Sequence, residues 1–136
     1  MENLWPENIG KIKPSLTPKN ILEKQGEYLE NATNGYIYGR VKQQVLPFEP
    51  NKFEFKFELV GKLLNNYTFS LLTIRHSVDI YPMTVEINSE IAKELKIEKY
   101  YTYKVNSEKE FEELLVSIFK TDKLSNLIKS ILSLSQ

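Results

Sequence analysis

The chain has 136 residues, of which 41% are hydrophobic, 12% aromatic and 26% charged, the make-up of one ordinary globular domain of near-modal size rather than a disordered or fibrous segment. It has no cysteine, which excludes disulfides, thiolate metal sites and cysteine nucleophiles. Its 18 basic and 18 acidic residues cancel to a formal charge of zero, which removes the strongest sequence argument for nucleic acid or an anionic membrane as partner.

Residues Met1 to Leu16 carry Pro6, Gly10 and Pro14 among scattered apolar residues and read as an irregular lead-in, with Leu4 and Trp5 expected to dock on the core. Thr17 followed by Pro18 is a helix start, an N-cap hydroxyl with proline where no N–H is missed. Ile21, Leu22, Tyr28, Leu29 and Ala32 then recur on one helical face, and Asn34-Gly35 supplies a left-handed stop.

From Tyr36 the apolar period changes from 3.6 to 2, the signature of strands. A first strand is expected over Tyr36 to Val45, with Pro47 and Pro50 in the loop after it. Phe53, Phe55, Phe57 and Leu59 alternate with Glu54, Lys56 and Glu58, a strand with one buried and one wet face. A third strand is expected over Tyr67 to His76. A fourth begins at Asp79 and runs to Ile87, with Pro82 arguing for an edge position or a bulge. Asn88 or Ser89 caps a short helix through Leu95, and Lys99 to Val105 alternates as a fifth strand. Ser107 with Glu110 is a capping box ahead of Phe111, Leu114, Leu115, Ile118 and Phe119. Thr121 starts a last helix carrying Leu124, Leu127, Ile128, Ile131 and Leu132. The order predicts a single α+β domain, an antiparallel meander of five strands with an N-terminal helix and two C-terminal helices on one face.

Most catalytic arrangements are excluded by residue supply. A single histidine, no cysteine and no Gly-x-Ser-x-Gly elbow leave no nucleophilic triad, and one histidine cannot supply a zinc or non-haem iron site. The acidic residues are spread over solvent faces without an Asp-x-Asp-x-Asp loop. Gly10, Gly26, Gly35, Gly39 and Gly61 form no phosphate-cradling loop, so Rossmann and P-loop folds are out. Glu112-Glu113 reads as a solvated pair on an amphipathic helix. No metal or cofactor is expected. His76 acting alone as general acid/base, with Arg75 stabilising an anion, is the enzymatic alternative; a lone histidine at a strand end is more often structural or merely solvated.

The aromatics and arginines are more suggestive. Arg40 and Arg75 are the only arginines; in a chain whose other basic residues are lysines, their fork geometry is a reason for them to be there. Strict alternation puts Tyr36, Tyr38 and Arg40 on one face of the first strand, and Tyr67, Phe69, Leu71, Thr73 and Arg75 on one face of the third. If those faces coincide, Tyr36, Tyr38, Arg40, Tyr67, Arg75, His76 and Tyr81 offer rings for stacking and guanidinium for a small anionic ligand such as a nucleotide. High β-propensity of tyrosine and phenylalanine explains the same enrichment without a ligand. Tyr100, Tyr101 and Tyr103 place rings on both faces of the fifth strand, a hint of a partner surface. The last helix mixes Lys120, Lys123 and Lys129 with apolar residues, but its polar positions are mainly Ser and Asn; core packing or self-association fits it better than a membrane surface.

Three groups of residues carry a resemblance: Leu4-Trp5-Pro6-Glu7-Asn8-Ile9; Thr17-Pro18 with Ile21-Leu22, Gln25 and Tyr28-Leu29; and Arg75-His76 with Tyr81-Pro82. Together they resemble a group of small uncharacterised bacterial and phage proteins. The resemblance spans most of the chain and implies a stand-alone domain; no activity comes with it.

The sequence therefore predicts a non-enzymatic binding or interaction protein that self-associates, with a small anionic ligand or a protein partner, no strong nucleic-acid signal and no membrane. A protein-binding inhibitor or accessory subunit is the alternative if the aromatic face is flat. No apolar run approaches the roughly 20 residues a bilayer crossing needs, and Met1 to Pro6 has neither the basic nor the apolar region of a secretory signal, so a cytoplasmic location is expected.

Overall fold

Local capping chemistry sets where each helix begins. Thr17 is extended (φ −89°, ψ 160°) and its hydroxyl accepts from the Asn20 N–H, with Pro18 opening α1 (Pro18–Ala32). Beyond the helix, Asn34 and Gly35 take φ of 53° and 84°. The Thr33 hydroxyl donates to the Leu29 carbonyl (2.9 Å) and accepts from the Ile37 N–H (3.1 Å), so one side chain ties the helix end to the strand that follows.

The computed structural model describes residues 1–136. Five strands, β1 (Ile37–Gln44), β2 (Lys52–Gly61), β3 (Tyr67–Ser77), β4 (Met83–Ile87) and β5 (Thr102–Val105), form one antiparallel sheet in sequence order. The helix α2 (Ser89–Glu94) joins the last two strands, and α3 (Glu108–Phe119) and α4 (Asp122–Leu134) complete the chain. The fold is α+β, an antiparallel meander with an N-terminal helix and two C-terminal helices, as the sequence predicts. Asn88, Ser107 and Thr121 cap the later helices through their side chains. Glu94 adds a cap across elements: its two carboxylate oxygens accept from the Asp122 and Lys123 N–H groups at 2.7 and 3.0 Å. A helix N-terminus favours such an anion, and the contact pins α4 to α2.

Several sequence expectations are corrected. Leu4 and Trp5 do not dock on the core: they are 80% and 73% exposed, and every residue from Met1 to Leu16 is exposed, with a single 3₁₀ turn at Glu7–Lys11. The fourth strand starts at Met83 rather than Asp79, because Ile80 takes a φ of 70° and Pro82, after a cis bond, stands just before the strand. Pro82 thus spares the ladder, and β4 lies inside the sheet between β3 and β5. The fifth strand begins at Thr102, since Tyr100 and Tyr101 have left-handed φ of 53° and 60° that end any extended run.

One irregularity reassigns a whole set of side chains. Pairing between β2 and β3 matches Phe57 with Leu72 but Glu58 with Ser70, leaving Leu71 as an extra, bulged residue. Leu71 and Leu72 are both buried, and the face assignment flips on either side of them, as a one-residue insertion must cause. Tyr67 and Phe69 therefore share the helix-covered face with Phe55, Phe57, Leu59 and Ile74, whereas Thr73 and Arg75 lie on the open face. The expected common face of Tyr67, Phe69, Leu71, Thr73 and Arg75 does not exist.

The helix-covered face holds a continuous core of 21 buried residues, among them Leu22, Ile37, Phe57, Ile74, Met83, Phe111 and Ile118. The first helix reaches it through two glycines. A Cβ on Gly39 of β1 would lie 2.6 Å from the Gly26 Cα and 2.8 Å from the Phe57 ring. Backbone meets backbone there, so neither side can yield. Gly39→Ala is expected to lower stability by about 2–3 kcal/mol, at the upper end of overpacking costs. Gly10→Ala, at a position with nothing within 4 Å, is expected to stay within about 0.5 kcal/mol; urea denaturation of the two variants beside the parent checks both.

Candidate functional site

The open face of the sheet is a ladder of ion pairs. Arg40 on β1 lies 3.1 Å from Glu58 on β2, and Lys42 reaches the same carboxylate at 3.8 Å. Arg75 on β3 bridges Glu54 on β2 and Glu86 on β4, the latter at 3.0 Å. The side chains of Glu54 and Glu58 are only 8% and 9% exposed, while both arginines are 37% exposed. The register puts each pair directly opposite, Arg40 to Glu58 and Glu54 to Arg75, the cross-strand geometry in which opposite charges stabilise a sheet. Burial by itself lowers the Arg75 pKa, but hydrogen bonds and charge from Glu54 and Glu86 outweigh it and leave the value raised. Both guanidinium groups are thus engaged by carboxylates of their own sheet.

The seven residues that the sequence marks as a ligand set do not converge. Tyr38, Arg40 and Arg75 share the open face, with Lys62 Nζ 6.0 Å from the Tyr38 ring centre. Tyr36 precedes β1 and packs on the core. Tyr67 sits on the opposite face, opposite Gly61, which faces Ile131 of α4. His76 is also on the helix-covered face, its ring 6.0 Å from that of Phe55 and 5.8 Å from that of Phe53. Its Nδ1 lies 2.8 Å from the Ser77 carbonyl; a carbonyl only accepts, so that nitrogen carries the hydrogen. Tyr81 is half-buried, its hydroxyl enclosed without a hydrogen-bond partner. Burial, then the charges of Glu108 and Glu112, push the Tyr81 pKa up, which keeps the phenol neutral. The bulge at Leu71 is what separates Tyr67 from Arg75, and His76 faces away from Arg75 as its immediate neighbour in the strand.

An apolar concavity lies on the other face. Between α1 on one side and α3 with α4 on the other, Phe57, Leu59 and Leu71 form the floor of an open cleft of about 330 Å³. Leu29, Ala32, Tyr28 and Gln25 of α1 make one wall; Phe119, Leu124 and Ile128 make the other. Nine of the ten lining residues are hydrophobic. A second hollow of about 410 Å³ shares Gln25, Tyr28 and Phe119 with the first and extends it to Leu16 and Ile21, with Lys24 and Glu112 at its rim. The two form one groove running the length of α1. Its residues were expected to be closed core, and the only sequence signal is that Tyr28, Leu29 and Ala32 continue the apolar stripe past what the glycine contact covers. The structure leaves Tyr28 58% exposed and Ala32 exposed.

No helix of the structure is long and apolar enough to cross a membrane. Comparison with protein-family models, with curated proteins and with solved structures finds no match to this chain.

Removing Arg75 leaves the Glu54 carboxylate shielded from water with no cation beside it. Because Arg75 itself is partly solvated, Arg75→Ala is expected to cost about 1–2 kcal/mol rather than the 3–5 of a fully buried pair. Adding Glu54→Gln to it should recover part of that loss. A double-mutant cycle on chemical unfolding measures the coupling, and additive effects would show that the pair contributes nothing.

Proposed function

We infer that the protein is a non-enzymatic interaction module that receives apolar side chains of a polypeptide partner in the groove between α1 and α3–α4. One observation carries this reading: a groove open along its length, walled by helices and lined almost wholly by apolar residues, with a floor on the sheet. Each of its two hollows, about 330 and 410 Å³, falls toward the lower end of the range for ligand pockets. An open trough between helices matches the way grooves receive amphipathic or extended segments, with apolar anchors below and polar groups at the rim. Lys24 and Glu112 supply that rim.

Binding of a small anion by the arginine face has less support, because Arg40 and Arg75 each already hold a carboxylate. An anion there must displace Glu58, or Glu54 and Glu86, from groups they already compensate. The acid/base alternative at His76 has less support again: aromatic rings flank the imidazole, and Thr17, Lys19, Val78 and Ile80 surround the shallow depression beside it.

Ala32 is exposed and lines the groove, so Ala32→Phe fills it without entering the core. An environment-sensitive apolar dye titrated over a dilution series down to nanomolar protein is expected to bind the parent and to lose at least about tenfold in affinity, or 1.4 kcal/mol, with Ala32→Phe. Its unfolding midpoint should be unchanged. Dye binding indifferent to Ala32→Phe would remove the groove as the site.

A further inference from the structure

The segment ahead of α1 carries several large apolar side chains that stay exposed. Leu4, Trp5, Ile9 and Ile12 are 80%, 73%, 46% and 62% exposed, a concentration of bare apolar surface at odds with a segment that merely leads into a helix. Yet the segment is shaped. The Trp5 N–H donates to the Asn3 side chain at 3.1 Å, and the turn at Glu7–Lys11 is closed by backbone bonds from Ile9 to Pro6 and Ile12 to Ile9. Leu16, its last residue, already lines the outer end of the groove.

The apolar groove has no occupant from its own chain and the apolar arm has no surface to cover it, but the arm is badly placed to fill its own groove. The groove runs along α1 toward Ala32, so the arm would have to reverse direction at the helix start. Thr17 is held extended there, as a residue before proline generally is. Lys13 stands before Pro14, a position that favours extended backbone in the same way.

We propose that a second copy of this chain supplies the partner: the arm around Trp5 inserts in the groove of a neighbouring molecule, which returns its own arm, giving a two-fold dimer closed by exchange. The proposal rests on the interaction reading above and names the partner of that same groove. Reciprocal exchange is self-limiting, since each arm and each groove is used once. Trp5 alone can bury about 150–250 Å². Two arms with their apolar neighbours, plus the groove walls they cover, are what must supply the ~1,000 Å² expected of a stable interface. The absence of net charge leaves little long-range repulsion between copies.

Trp5 is the single tryptophan and reports on its own docking. Sedimentation and tryptophan emission of the full chain across a dilution series test the proposal. The expected result is a dimer whose formation moves Trp5 emission to shorter wavelength, with dilution reversing both. Trp5→Ala on the arm and Ala32→Phe in the groove should each weaken dimerisation at least about tenfold, a hot-spot-sized effect. Both sites are exposed, so neither substitution threatens the fold. A monomer at every concentration overturns the proposal, as does a dimer indifferent to both variants. An emission shift that is present in the monomer and independent of concentration overturns it too, by placing the arm in its own groove. Dye binding sensitive to Ala32→Phe in a chain that stays monomeric would leave the groove reading standing while this inference falls.

Discussion

The approach of α1 to the sheet through Gly26 and Gly39 governs the layout of the helical face. With no side chain on either residue, the helix backbone rests on the strand backbone and on the Phe57 ring, and the helix is held down over β1 at one side of the sheet. Phe111, Leu114, Leu115 and Ile118 of α3 are buried, and Gly61 admits Ile131 of α4 at close range. Each helical layer is thus seated on the sheet separately. The strip between them, floored by Phe57, Leu59 and Leu71, is the groove. Glu94 at the N-terminus of α4 holds the far wall in position.

The bulge at Leu71 divides labour between the two faces. By turning both Leu71 and Leu72 inward it adds apolar floor to the groove, and it rotates Arg75 onto the side where Glu54 and Glu86 wait. Without the extra residue Arg75 would point at the helices, away from Glu54 and Glu86. The same insertion that builds the concave apolar side therefore completes the charged side.

What the sequence reveals follows from the range of the forces involved. Thr17, Asn88, Ser107 and Thr121 announce helix starts because a cap is settled within three residues, and the Phe53 to Leu59 alternation announces a half-wet strand because its period is local. Asn34-Gly35 and the short turns between strands give the meander by the same logic. Leu71 gives no such warning. Whether a strand bulges depends on what its neighbour and the covering helices need, so strict alternation carried Tyr67 and Arg75 to one face when they lie on two. The groove is hidden for a related reason: an apolar stripe such as Tyr28, Leu29 and Ala32 shows that a helix has something to bury, and says nothing of whether a neighbour in the same chain meets it. The lead-in was misjudged likewise, since Leu4 and Trp5 signal a wish for cover without saying whose.

The charged ladder on the open face also decides how copies of this molecule must not meet. Two exposed sheets tend to laminate face to face, the geometry from which fibrils grow. Here such stacking would strip water from Arg40, Lys42 and Arg75 together with Glu54, Glu58 and Glu86, groups already matched within one sheet and with nothing to gain from a second. Dehydrating charges without new partners is costly, so the face works as an insulating layer. It leaves the helical side as the surface through which apolar contact between molecules can proceed.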